Sequence, residues 1–167
     1  MFKRKKHNWT IPEGQEPTAF DKKILSYQNQ GFLVPTRKLI KTPEQIEGIK
    51  QSGVINTGVL DLIEQEIHAG MTTEEIDKLV YDYTVSHGAI PAPLNYEGFP
   101  KSVCTSINEV VCHGIPNDCE VLEEGDIINV DVSTIYKGYY SDASRMFIIG
   151  KTTPEKEKLV RVTKECL

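Results

Sequence analysis

Two aspartates lie close together in a stretch that otherwise reads as β-structure, "NVDVSTIYKGYYSDASRMF" over residues 129–147. Residues 127–136 and 139–149 predict two strands, and Lys137-Gly138 between them suits a two-residue hairpin turn. Pairing about that turn sets Asp131 opposite Ser144 and Asp142 opposite Ser133, which makes the two acids diagonal neighbours on one face. Diagonal positions lie about 7–8 Å apart, within reach of carboxylates that lean together. Asn129, Ser133 and Ser144 share that face, whereas Ile128, Val130, Val132 and Phe147 take the other. Two carboxylates so placed repel unless a cation or a shared proton lies between them. Oxygen donors of this kind suit divalent ions such as Mn, Fe, Co or Zn. The pattern equally fits the solvent-facing side of a two-stranded ribbon, where acids cost nothing. A register slip of one residue would also part the acids.

His113 is the second candidate. It closes the apolar run in "VVCHGIP", and the Gly and Pro that follow it fix a turn. An imidazole there can act on a bound group, or it can be a core histidine satisfied by a backbone carbonyl. His7 falls in a basic N-terminal stretch, and His68 and His87 fall near predicted helix C-termini, where they meet the helix dipole. The four cysteines, Cys104, Cys112, Cys119 and Cys166, include no C-x-x-C pair. That suggests neither a zinc knuckle nor a disulfide framework, so they read as reduced thiols.

The elements that must position these residues follow from periodicity and caps. Residues 1–20 are polar and broken by Pro and Gly, so they read as an arm, followed by a short helix ending near Gly31. A long helix opens at Thr42-Pro43, with Gln45 completing a capping box. Its apolar stripe takes in Ile46, Ile49, Val59, Leu60, Ile63 and Ile67, and Gly70 ends it. Thr72 and Glu75 form the capping box of a second helix with Ile76, Leu79, Val80 and Tyr83 on one side, ending at Gly88. "IPAPLNYEGFP" is a loop by its prolines. The chain turns to β-structure from Ser102, and a last helix runs from Thr153-Pro154 to Leu167. Helices with a small antiparallel sheet predict an α+β fold.

Composition narrows the class. At 167 residues, 39% hydrophobic and 26% charged, the chain suits one globular domain. No apolar run approaches the roughly 20 residues of a membrane helix. The basic start has no apolar segment behind it, which argues against a secretory signal and for the cytoplasm. Residues 1–41 carry nine Lys and Arg against three Asp and Glu, while the other 126 carry ten against twenty-one. The basic arm reads as a solvated tail or as a contact for RNA or an acidic partner.

The stretch "YEGFPKSVCTSINEVVCHGIPNDCEVLEEGDIINVDVSTIYKGYYSDASRMF" closely resembles the type I methionine aminopeptidases, metallopeptidases of the pita-bread fold. The likeness covers about residues 36–167, leaving residues 1–35 as a basic extension. It implies removal of the initiator methionine from nascent polypeptide N-termini by a centre of two divalent ions (Co, Mn, Fe or Zn). It implies no DNA and no membrane partner, and leaves ribosome association open through the arm. By this resemblance Asp131 chelates one ion, Asp142 bridges both, and His113 hydrogen-bonds the scissile peptide. Tyr96, Phe99 and Cys104 match positions lining a closed apolar pocket for the methionine side chain. The family's remaining metal-binding His and two Glu, and a second substrate-contacting His, find no counterpart before Leu167. The expectation is therefore the N-terminal half of a catalytic domain, inactive alone, with exposed apolar faces. Two other readings compete: a non-catalytic pita-bread module that binds ribosome or RNA, and a relative acting on Xaa-Pro bonds or creatine.

Overall fold

The computed structural model describes residues 8–167, and the chain divides into two compact units, Met1–Glu44 and Gln45–Leu167. His7 and the basic cluster of residues 3–6 lie outside the described residues.

In the first unit, helix α1 (Ala19–Asn29) starts at a capping box in which Thr18 and Asp21 satisfy each other's backbone N–H groups. Asp21 also accepts from the Trp9 indole Nε1 at 2.9 Å and pairs with Arg37. Trp9 meets Phe20 edge-on at 5.7 Å, lies under the Arg37 guanidinium and is only 2% exposed. Within the arm expected over residues 1–20, Thr10 and residues 12–20 are exposed, whereas Trp9 is buried. A lone buried indole with a carboxylate partner leaves no periodic trace in a polar sequence.

The second unit is a sheet backed by helices. Helix α2 (Pro43–Glu66) and helix α3 (Thr73–Ser86) supply Val59, Leu60, Ile63, Ile76 and Val80 to the core. Ile128, Val130, Val132 and Phe147 meet them from the sheet, and Val103 from the segment just before its second strand. Burying each such side chain contributes roughly 1.5–3 kcal/mol. The capping box expected at Thr72 and Glu75 is present. The buried face of α2 runs through Gly48, Ser52, Ile55, Asn56, Val59, Leu60 and Ile63. Ile46, expected on the apolar stripe, is instead 45% exposed. The ring of Tyr139 takes the space over Gly48, where a Cβ would lie 2.4 Å from it.

Strands β1 (Ile90–Pro91), β2 (Cys104–Ile107), β3 (Ile127–Tyr136) and β4 (Tyr139–Ile148) form one antiparallel sheet. β4 pairs with β3 along its whole length. β2 and β1 lie end to end on the opposite edge, pairing with residues 128–131 and 134–135 of β3. Lys137 and Gly138 both have positive φ, at 50° and 83°, as a type I′ hairpin turn requires. Helix α4 (Pro154–Glu165) begins where expected, with Thr153 as its N-cap, stops short of Leu167 and buries no residue. Among the described residues no helix is long and apolar enough to cross a membrane.

Candidate functional site

The hairpin has the register that the turn dictates: Asp131 opposite Ser144, and Asp142 opposite Ser133. Both acids stand on the face turned away from α2 and α3, with Asn129, Ser133 and Ser144 around them. Asp131 is half-buried and Asp142 exposed. The Asp131 pKa is raised from its ordinary value. Burial is the largest cause, followed by the charge of Asp142 and a hydrogen bond to it, with His113 acting in the opposite direction.

α2 holds this hairpin from behind. The Asn56 side-chain amide donates to the Val132 carbonyl at 2.7 Å and to Thr134 Oγ1 at 3.3 Å. Ser52 donates to the Thr134 carbonyl at 3.0 Å and shares a hydrogen bond with Ser141 at 2.8 Å. Arg145 reaches from β4 to Asp61 at 2.9 Å and Glu64 at 2.6 Å on α2. The backbone between the two acids is thereby pinned to a long helix.

Cys104 lies beside the acids, paired with Asp131 across β2 and β3. Burial first, then the charges of Asp131, Cys112 and Asp142, push its thiol up to about 11. A thiol held protonated in this way is a poor nucleophile at neutral pH.

His113 is exposed and has φ 58°, a left-handed conformation uncommon outside glycine. Its neighbour Gly114 is pressed against β2. The Thr105 N–H donates to the Gly114 carbonyl at 3.0 Å, and the Gly114 N–H donates to Ser106 Oγ at 3.2 Å. A Cβ on Gly114 would lie 1.8 Å from the Thr105 carbonyl oxygen, so only glycine fits. Since Thr105 follows Cys104, this contact brings His113 to the end of the acidic face.

Tyr96 and Phe99 sit in and just after a 3-10 turn strained at Asn95 and Glu97, both with positive φ. Phe99 is half-buried, but Tyr96 is 67% exposed. The closed apolar pocket expected around Tyr96, Phe99 and Cys104 is open in the described residues, because nothing covers the Tyr96 ring. His68 and His87 bond the Glu66 and Tyr83 carbonyls at 2.7 and 2.8 Å, the local helix-end role expected of them. Sequence reasoning missed Ser52, Asn56, Ser106 and the contact that makes Gly114 obligatory. The only signal available was the Gly-x-Pro turn after His113.

Two carboxylates placed diagonally on adjacent strands are a donor set that fits a divalent cation. Among the described residues, however, no three His, Cys, Asp or Glu side chains group so as to hold a metal. A helix-backed antiparallel sheet of this kind is the architecture of the pita-bread metallopeptidases. Residues 47–167 match metallopeptidase family M24, and the chain belongs to that family. It is 52% identical over 123 residues to methionine aminopeptidase A of Synechocystis sp., covering 74% of this chain and 49% of that protein. It is 50% identical over 129 residues to methionine aminopeptidase of Escherichia coli (strain K12), covering 77% and 49%. The crystal structure of methionine aminopeptidase from Rickettsia prowazekii superposes with a TM-score of 0.74 at 44% identity, over 75% of this chain and 50% of that one. The chain thus spans about half the length of the curated relatives it matches.

Proposed function

We propose that this chain is part of a metal-dependent aminopeptidase that removes methionine from the N-termini of nascent polypeptides in the cytoplasm. The observation that carries this reading is the register that makes Asp131 and Asp142 neighbours on the open face of the sheet. Asp131 would chelate one ion and Asp142 would bridge two, the ions being Co, Mn, Fe or Zn. When bound, such ions lower the pKa of water and polarise a carbonyl. A catalytic zinc takes about three protein ligands, so two aspartates need further ligands from outside the described residues.

The chain's own residues then divide the remaining work. His113, at the end of the acidic face, donates a hydrogen bond to the scissile peptide and to the charge developing on it. Cys104 presents a neutral thiol beside Asp131, and with Tyr96 and Phe99 it meets the substrate's thioether side chain. The exposed Tyr96 ring needs a further surface to close that pocket. Asn56, Ser52 and Arg145 fix the hairpin so that the acids keep their spacing.

The test is hydrolysis of a Met-Ala-Ser peptide by the uninterrupted gene product with added Mn or Co. The reading predicts turnover that Asp131→Asn and Asp142→Asn abolish, with a Xaa-Pro dipeptide left uncut. A folded, metal-loaded protein without turnover would refute it, and preference for the Xaa-Pro substrate would move the chain to that branch. Ribosome association through the basic residues at the N-terminus is part of the same proposal, checked by salt-dependent cosedimentation with and without residues 1–20.

A further inference from the structure

The loop between β2 and β3 is tied down at several points, and His113 lies at the end of its one loose stretch. At the start, the Asn108 N–H donates to the Ile127 carbonyl and the Val110 N–H to the Ile107 carbonyl. At the far end, Asn117 exchanges hydrogen bonds with the Thr73 hydroxyl at 2.9 and 3.0 Å, and the Leu122 N–H donates to the Met71 carbonyl. Between Val110 and Gly114 the chain swings outward, leaving Val111 91% exposed. The first anchored residue after His113 is Gly114, and its amide is held by one side chain, that of Ser106.

Ser106 is itself only 4% exposed and stands on the same short strand as Cys104. One strand therefore carries both the thiol paired with Asp131 and the hydroxyl that fixes the residue next to His113. We propose that Ser106 is a positioning residue for His113, its hydroxyl accepting the Gly114 N–H so that the imidazole stays at the edge of the acidic face. This rests on the proposed aminopeptidase reading for its catalytic consequence, but not for its structural one. The Thr105–Gly114 hydrogen bond fixes the distance of the loop from β2. The Ser106 hydroxyl, on the sheet face that carries Asp131, fixes the twist of the peptide joining His113 to Gly114. Without it a left-handed residue in an exposed loop has one hydrogen bond, rather than two, to hold the next residue in place.

The experiment has a structural arm and a kinetic arm. In the 167-residue chain labelled with ¹⁵N and with ¹³C-histidine, Ser106→Ala should speed Gly114 amide exchange about tenfold, as loss of one hydrogen bond implies. His113 ring signals should shift or split while those of His68 and His87 stay in place. Gly114→Ala, which drives a Cβ into the Thr105 carbonyl, should disturb the same ring signals with Ser106 intact. In the uninterrupted gene product, Ser106→Ala should lower kcat about tenfold with KM and metal affinity unchanged, since only a transition-state contact is misplaced. Unchanged Gly114 exchange and unchanged His113 signals in Ser106→Ala would overturn the proposal, as would an effect confined to KM. If the wild-type protein shows no aminopeptidase activity, the functional reading falls, and the two spectroscopic signals alone decide whether Ser106 holds His113.

Discussion

Asp131 and Asp142 are costly neighbours in the metal-free protein. Their charges lie on adjacent strands, Asp131 is half-buried, and burial first and then the charge of Asp142 raise the cost of ionising Asp131. An asparagine at position 131 removes one charge and can donate a hydrogen bond to Asp142 from its amide. Asp131→Asn should therefore melt at a higher temperature than the wild type in EDTA. The same change removes a ligand, so Mn or Co should raise the melting temperature of the wild type and leave the variant where it was. Paired thermal melts with and without the ion check both halves. A variant destabilised in EDTA would show that the paired charges carry no net cost, and one that keeps the metal-dependent rise would show that Asp131 holds no ion. Sites built for function often carry a stability cost of this kind.

At the scale of the element, the glycines of α2 separate local propensity from packing. Gly→Ala inside a helix gains up to about 1 kcal/mol from propensity. At Gly53 nothing lies within 4 Å of the new Cβ, so Gly53→Ala should stabilise by that order. At Gly48 the Cβ would lie 2.4 Å from the Tyr139 ring, and overpacking costs roughly 1–3 kcal/mol. Packing wins there, and Gly48→Ala should be net destabilising in urea titrations. α4 tests the opposite limit. It has twelve residues, none of them buried, and isolated helices of that length are marginal in water. Its amides should exchange with solvent far faster than those at the centres of α2 and α3; equal protection would mean that another surface covers it. The hairpin was legible in the sequence because its determinants are local: a Lys-Gly turn sets the register, and register sets which residues face each other. The helix cap at Thr72 and the helix start at Thr153-Pro154 were legible for the same reason. The polar stripe of Ser52 and Asn56 was not, since a search for apolar periodicity passes over buried side chains that hydrogen-bond a strand 76 to 82 residues away. The obligatory Gly114 was hidden too, because the backbone it meets is that of a separate strand.

Across the whole molecule, the two compact units differ in what holds them. The second has an apolar core, whereas the described part of the first centres on one indole and one carboxylate. Trp9 is the only tryptophan in the chain, so intrinsic indole fluorescence reports that first unit alone. Hydrogen bonds from Thr18 are the largest cause holding Asp21 down, from 3.8 to about 2, with Trp9 and Arg37 adding to them. A folded-state pKa below the unfolded value stabilises fully above the unfolded pKa and loses that contribution as pH falls through the folded one. The urea midpoint read from Trp9 should therefore be flat above pH 4, then drop as the pH approaches about 2. In Asp21→Asn the midpoint should start lower at neutral pH and change little over the same window, because the titrating group is gone. If the variant keeps the full acid dependence of the wild type, some other carboxylate controls the unit, and Asp21 is a helix cap and nothing more.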